Sequence, residues 1–398
     1  MQKKILYVGN FSFPNGNASG ARVLGNGYLF RELGYKTFFI GLDKQLNENS
    51  NLPETRNEFE GFAYYNLPYP KGVRGWIAYK QRYIEVAKLI KDLNIDIIIL
   101  YGSPTISLFG SLLKSFAKKN NIKILTDVVD WLAIGSGGLI FRIVKYFDTN
   151  YQKRYLNNQV DGVITISSYL QKYYKKRVDN TIIIPPLVNT LHFNQLYNNI
   201  STHKTTKIIY VGEPFPINAT NVNPKSFKDR LDKVIDTLYK LKEHDFIFDV
   251  YGLTYDQYIT VVDYQKDKLN ELKDKVIFHG PIENRIARQK IAQSDYSILF
   301  RDINKMTKAG FPTKVVESIS CGTPVITNNT SDLQNYIFEG ENGFVVDLSK
   351  PDLHLHKMNE ILKMDTMAIN KMKQNCAKSE LFSYQNFKDK TERFLQKI

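Results

Sequence analysis

Short apolar runs ending in glycine, each followed by a loop and a helical period, recur along this chain and restart once. Near the beginning ILYVG runs into Gly9, and in the second half KIIYVG runs into Gly212. Continuous apolar strands separated by helices are buried on both faces, which calls for a parallel sheet covered by helices on each side. In the first half the series reads ILYVG, a helix from Ala21 to Leu33, TFFIGL, a helix from Ile77 to Leu93, DIIILYG, a helix from Ile106 to Lys118, IKILTDV, and VDGVITIS before a helix from Tyr169 to Arg177. The second half reads KIIYVGEP, a helix near Phe227 to Leu241, FIFDVYG, VIFHGP, YSILFR, PVITN and FVVDL. Between them NQLYNNISTHKTT is polar and aperiodic, which suits a linker at about Asn194 to Thr206. The expected fold is α/β: two facing Rossmann-like domains, residues 1–195 and 205–379, with a cleft between them.

At 398 residues the chain exceeds what one core usually serves, and its 43% apolar content is ample for two. It has no apolar run long enough to span a membrane, and MQKKILYVGN enters a strand without a leader pattern, so the expected location is the cytoplasm. Cys321 and Cys376 are the only cysteines, which excludes a disulfide framework and a cysteine-based zinc site. The net charge of +14 implies an anionic partner, whether nucleotide, lipid headgroup or nucleic acid. No nucleic-acid recognition motif accompanies the lysines, so nucleic acid is not expected. With six scattered histidines and no Asp-x-Asp or HExxH, no metal or other cofactor is expected either.

The stretch AGFPTKVVESISCGTPVITN carries the densest chemistry. Pro312 suits the first helical position, and Cys321-Gly322 supplies the stop. Val315, Val316 and Ile319 then face a sheet, while Thr313, Lys314 and Glu317 share the other side. Free N–H groups and Lys314 suit a diphosphate, and Glu317 suits the two hydroxyls of a ribose. An amphipathic helix with a surface ion pair has the same pattern. Arg301, closing YSILFR just upstream, is a second anion-binding candidate.

Other segments admit paired readings. In NFSFPNGNASGARVLG, Gly16 and Gly20 permit phosphate close to a helix start, or form a plain turn. Asp127 and Asp130, at the end of IKILTDVVD, suit sugar hydroxyls or developing positive charge at an anomeric carbon, or else cap the next segment. Lys225, Lys228 and Arg230 stand near a phosphate-sized gap, or are simply solvated. The backbone of His279-Gly280-Pro281 suits the rim of a nucleobase slot, or a turn. AIGSGGLIFRIVKYF, Ala133 to Phe147, pairs apolar residues with Arg142 and Lys145, as a membrane-resting segment would and as a buried helix would.

Taken in order, the N-terminal glycine-rich loop, VITIS, IIIPPLVNTLHF, YVGEPF, VIFHGPI, GFPTKVVESISCGTPVITN, ENGFVV and FSYQNF resemble the family-4 retaining glycosyltransferases of the GT-B fold, within the glycosyl transferases group 1. The resemblance covers nearly the whole chain. It implies that Glu317 binds ribose, that Lys228 and Lys314 hold the diphosphate, and that Gly310 and Phe311 meet the donor sugar through backbone N–H groups. Gly212, Pro312 and Thr313 fall in the same donor-binding motifs, and Gly20 would approach the phosphates from the other domain. Asp127 stands where the family commonly has a His or Asp touching the sugar. FSYQNF would open a last helix, about 380–398, crossing back to the N-terminal domain.

Two departures accompany the resemblance. Ala309 occupies the position of the first Glu of the family's E-x7-E pair, and Gly212 is followed by Glu213 where an Arg is common. Arg301 is the candidate for the missing arginine charge, and Asp127, Lys314 and Arg301 form the expected catalytic set. The implied reaction moves a sugar from a nucleoside diphosphate donor, most often a UDP-sugar, to a hydroxyl of a glycan, lipid-linked or protein-linked acceptor. It proceeds with retention and without metal, in bacterial surface polysaccharide or glycoconjugate synthesis, by a protein that is cytoplasmic or peripheral at the inner face of the membrane. A non-catalytic nucleotide-sugar or glycan-binding relative would account for Ala309, and a nucleotide-sugar epimerase of similar fold is a further alternative.

Overall fold

In the computed structural model, which describes residues 2–14, 17–102, 106–131, 138–196, 200–202, 204–216, 222 and 227–398, the apolar runs of the first half become strands. These are β1 (Lys4–Gly9), β2 (Lys36–Asp43), β3 (Asn57–Phe59), β4 (Phe62–Pro68), β5 (Ile97–Tyr101), β6 (Lys123–Val128), β7 (Gly162–Thr165) and β8 (Thr181–Ile183). They form one sheet in the order β3-β4-β2-β1-β5-β6-β7-β8. Successive residues of β1 enter different cores: Leu6 and Val8 pack with Ile40, Ile98 and Leu100, while Ile5 and Tyr7 pack with Ile97, Ile99 and Leu125. Both faces are therefore dry, as a parallel sheet requires. β3 alone runs antiparallel, pairing with β4 through a turn in which Glu60 and Gly61 take φ of 47° and 77°.

The helices of this half are α1 (Ala18–Glu32), α2 (Gly72–Ala78), α3 (Tyr83–Leu93), α4 (Ile106–Lys119), α5 (Leu139–Arg154) and α6 (Ser168–Tyr174). α1 starts before Ala21 because the Asn17 side chain accepts the Gly20 N–H at 2.8 Å and caps it. The helix expected from Ile77 to Leu93 is two helices joined by a 3-10 turn at Tyr79–Arg82.

The second half builds β9 (Thr206–Val211), α7 (Leu231–Lys240), β10 (Phe246–Tyr251), α8 (Tyr255–Val261), α9 (Lys266–Glu271), β11 (Val276–Gly280), α10 (Asn284–Gln293), β12 (Tyr296–Leu299), α11 (Lys305–Ala309), α12 (Thr313–Ser320), β13 (Val325–Asn328), β14 (Gly343–Val346), α13 (Pro351–Leu362) and α14 (Thr366–Ala377). Its sheet is parallel throughout, in the order β11-β10-β9-β12-β13-β14. The direction of winding reverses between β9 and β12, and open α/β sheets bind ligands beyond the carboxyl ends of strands at such a reversal.

Spatial contacts divide the chain into two units, one of residues Met1–Asn189, Ala309–Phe311 and Ser383–Ile398, the other of Thr190–Lys308 and Pro312–Phe382. The last helix, α15 (Lys388–Leu395), thus belongs with the first sheet. Phe394 and Leu395 join the core around Ile97 and Leu125, and a Cβ on Gly162 would come within 2.8 Å of the Phe394 ring. Among the described residues, no helix is long and apolar enough to cross a membrane.

Candidate functional site

At the reversal in the second sheet, β9 ends at Val211 and Gly212 turns the chain away with φ 135°. The loop that follows returns as Asp229, whose side chain is 1% exposed. Three donors converge on it. Arg301, just past β12, gives its Nε to Oδ1 at 2.8 Å. Lys314, in the first turn of α12, gives its Nζ to Oδ2 at 2.6 Å, and the buried Tyr210 hydroxyl donates to the same oxygen at 2.9 Å.

Gly212 makes the Lys314 contact geometrically possible. A Cβ there would lie 2.4 Å from Lys314 Cε and 2.7 Å from Nζ, so any larger residue would displace the ammonium. Arg301 is further fixed through its main chain, its N–H donating to Asn328 Oδ1 at 2.9 Å while Asn328 Nδ2 donates to its carbonyl at 2.8 Å. Burial is the largest influence on Asp229 and pushes its pKa up. The combined pull of Lys314 and Arg301, with hydrogen bonds from Lys314 and Tyr210, outweighs it and holds the carboxyl well below the usual range. Two cations against one carboxylate leave a net charge of +1, next to the partial positive charge of the α12 N-terminus.

The α12 segment has the expected faces, with Val315, Val316 and Ile319 buried and Thr313, Lys314 and Glu317 on the other side. Pro312 differs from expectation: it is the N-cap, with ψ 101°, and Thr313 is the first helical residue. The ring presets φ without entering the helix, and the Pro312 carbonyl accepts the Val315 N–H at 3.1 Å. Glu317, 34% exposed, faces Arg288 of α10 at 3.5 Å. Arg288 Nε is buried and has no hydrogen-bond partner. Just upstream, Gly310 is half-buried, while Phe311 and Ala309 are buried.

Other sequence-selected groups of this unit are engaged differently. Lys228 is exposed in the loop before α7, with its N–H on the Pro214 carbonyl at 2.8 Å. Arg230 precedes α7 and is held by Asp232 and Asp302, both at 2.6 Å. Arg301 also lines a cavity of about 590 Å³ beyond β12, β13 and β14, together with Lys233, Asp302 and Asn329. The His279 ring and the Gly280 main chain are engaged in internal contacts. The His279 ring stacks on Tyr251 at 4.3 Å with Nε2 2.6 Å from Asp249 Oδ1. The Gly280 N–H donates to the Leu253 carbonyl at 3.2 Å, and its own carbonyl accepts the Gly252 N–H at 2.9 Å. Among the described residues, no group of three His, Cys, Asp or Glu side chains gathers as a metal site would.

In the first unit Asp127 is a correction. Its side chain has no exposed surface and is bound by Arg22 through Nε at 3.0 Å and a terminal nitrogen at 2.7 Å, with Tyr7 and Asn26 donating to the same carboxylate. A carboxylate so filled cannot meet a sugar, and its role is to neutralise a buried arginine. Asp130, three residues on, is exposed. The Gly20 N–H donates to the capping Asn17 side chain at 2.8 Å, and a Cβ there would lie 2.1 Å from the Ser12 carbonyl, so loop packing by itself requires a glycine. Gly16, Lys225 and the start of the Ala133–Phe147 segment lie outside the described residues.

Asp229 and Tyr210 escaped the sequence reading. Asp229 carried a signal, since an acid between Lys228 and Arg230 in a basic run suggests a fixed ion pair.

Residues 206–379, which include the sheet carrying this cluster, match the family of glycosyl transferases group 1. An uncharacterised glycosyltransferase of Methanocaldococcus jannaschii is 22% identical over 312 residues, covering 78% of this chain and 78% of its own. The sucrose-phosphate synthase of Thermosynechococcus elongatus superposes with a TM-score of 0.68 at 13% identity, over 99% of this chain and 98% of that one. Anabaena HepE, solved in complex with UDP, superposes with 0.63 at 16% identity, over 99% and 100%. The fold is GT-B.

Proposed function

We propose that the chain is a retaining glycosyltransferase that moves a sugar from a nucleoside diphosphate donor, a UDP-sugar, to a hydroxyl of a glycan or lipid-linked acceptor in bacterial glycoconjugate synthesis. The observation that carries this reading is the Lys314–Asp229–Arg301 cluster beneath the start of α12, at the strand-order reversal, with Glu317 one turn further along. The relative solved with UDP supports uridine as the base.

The diphosphate sits against the Lys314 ammonium, the Arg301 guanidinium and the first N–H groups of α12, and Glu317 accepts hydrogen bonds from the ribose. The bond from the anomeric carbon to the diphosphate oxygen breaks as the acceptor oxygen bonds to the same face of that carbon. The acceptor proton passes to the leaving phosphate oxygen. Negative charge grows on the diphosphate as the bond breaks, and fixed cations favour that state over the ground state. Asp229 takes part indirectly by orienting both cations, and the reaction requires no metal.

A panel of UDP-, GDP- and ADP-sugars, each with and without acceptor and with chelator present, tests the reading. Acceptor-stimulated diphosphate release with retained anomeric configuration by NMR is the expected result. Isomerised sugar would replace transfer with epimerisation. Donor binding by calorimetry with no turnover across the panel would make the chain a passive binder, as Ala309 allows.

A further inference from the structure

The first unit presents a surface that the sugar chemistry does not use. Among the described residues, eleven of the twenty large apolar side chains left exposed lie between Ile77 and Tyr155, so exposure is concentrated and not scattered. Nine of the eleven line a groove of about 1150 Å³ formed by the 3-10 turn before α3, by α3 itself, and by α4 and α5. α4 makes the floor. Phe109, Leu113 and Phe116 bury one side of it in the sheet core, and Ser107, Ser111 and Ser115, a turn apart on the other side, keep the floor low. The walls are apolar, with Ile84 72% and Phe147 67% exposed.

Charge around the groove selects its occupant. Lys71, Arg74 and Lys80 have no acidic residue among them from Lys71 to Ile84, while Arg82 is paired with Glu85 at 2.8 Å. α5 adds Arg142, Lys145, Lys153 and Arg154. Its single acid, Asp148, is buried and accepts the Ser107 N–H at 2.9 Å, so it does not offset the rim. An apolar trough with a cationic rim matches a bilayer surface carrying anionic headgroups, where side chains such as Phe147 enter the acyl boundary and the cations meet phosphate. A second copy would set like charges face to face.

We infer that this groove and the exposed face of α5 dock the protein on anionic membrane, holding it where an acceptor attached to lipid is reached. The docking does not depend on the donor chemistry. The full chain should cosediment with phosphatidylcholine vesicles containing phosphatidylglycerol and not with phosphatidylcholine alone, and added salt should weaken the binding. Arg142→Glu with Lys145→Glu should lower vesicle partitioning by about tenfold or more. Ile143→Ser with Phe147→Ser should lower it comparably with every charge intact. Phe338→Ser, on an exposed residue of the other unit, should leave it unchanged. Circular dichroism and donor binding check that each variant is folded.

A wild-type chain that stays in the supernatant with anionic vesicles would overturn the inference, as would paired variants that bind like wild type. Self-association abolished by Phe147→Ser, without lipid binding, would assign the groove to a second copy. Transfer to a soluble acceptor, measured on the same samples, reports separately on the proposed reaction.

Discussion

Replacing Asp229 with Asn removes one negative charge and nearly preserves shape. The amide oxygen can still accept, but its NH2 must face the Lys314 ammonium, the Arg301 guanidinium or the Tyr210 hydroxyl, all of which donate to the carboxylate. Lys314 is 20% exposed at the side chain and can swing to water, whereas Arg301 is 9% exposed and cannot. Removing one partner of a buried ion pair typically costs about 3–5 kcal/mol, and the escape of Lys314 argues for the lower end, about 3 kcal/mol. That is roughly a hundredfold in the folding equilibrium. Urea denaturation followed by circular dichroism measures the loss, and the transition that UDP shifts upward identifies the second unit. The local formal charge rises from +1 to +2, so attraction for UDP should persist. The position of Nζ is lost, and kcat should fall at least about tenfold. A cycle with Lys314→Met should show a coupling of about 1–3 kcal/mol. A loss under about 1 kcal/mol with unchanged kcat would mean that Asp229 neither pays for burying these cations nor orients them.

Acid should act on the same cluster. A carboxyl held below its usual range contributes stability that is present above the unfolded pKa of about 3.9 and is lost as pH falls through the folded value. The wild-type second unit should therefore lose stability more steeply than Asp229→Asn below about pH 4, and parallel acid-unfolding curves would refute this. Gly212→Ala puts a methyl against Lys314 at a φ of 135°, and kcat/KM should fall at least about tenfold, with Lys314 displaced in a crystal structure. Asp127→Asn should cost the first unit about 3 kcal/mol in urea while donor KM stays within about twofold; a selective rise in donor KM in fully folded protein would restore its role at the sugar. Glu317→Gln should raise KM for a UDP-sugar several-fold and raise KM for its 2′-deoxy analogue, which keeps one of the two hydroxyls, by less; equal effects on both would remove the 2′-hydroxyl contact.

The parallel sheets were legible because their signal is local. Four or five consecutive apolar residues, as in ILYV of β1 and IIILY of β5, are satisfied by cover on both faces, and these strands needed nothing from elsewhere in the chain to be recognised. The β3 hairpin was not, since Asn57–Phe59 is short and mostly polar, and its turn depends on positive φ at Glu60 and Gly61. α12 was legible for the same reason as the strands: its buried and open faces follow from spacing alone. What each of its charges meets does not. Asp229 lies 85 residues from Lys314 and 72 from Arg301, and the three converge only because β12 sits beside β9, an adjacency that chain order does not state. Asp127 makes the complementary point. Its place near the end of an apolar run suggests a strand-end ligand, but β6 runs on to Val128, and by the alternation of a strand Asp127 shares a face with the buried Leu125, which packs in the core that holds residues of α1. Arg22 on α1 occupies that covered side, 105 residues away in sequence, and takes the carboxylate. Whether a strand-end acid faces ligand therefore depends on whether it lies before or after the last ladder residue. Asp127 lies before it, and Asp130, the exposed one, lies after.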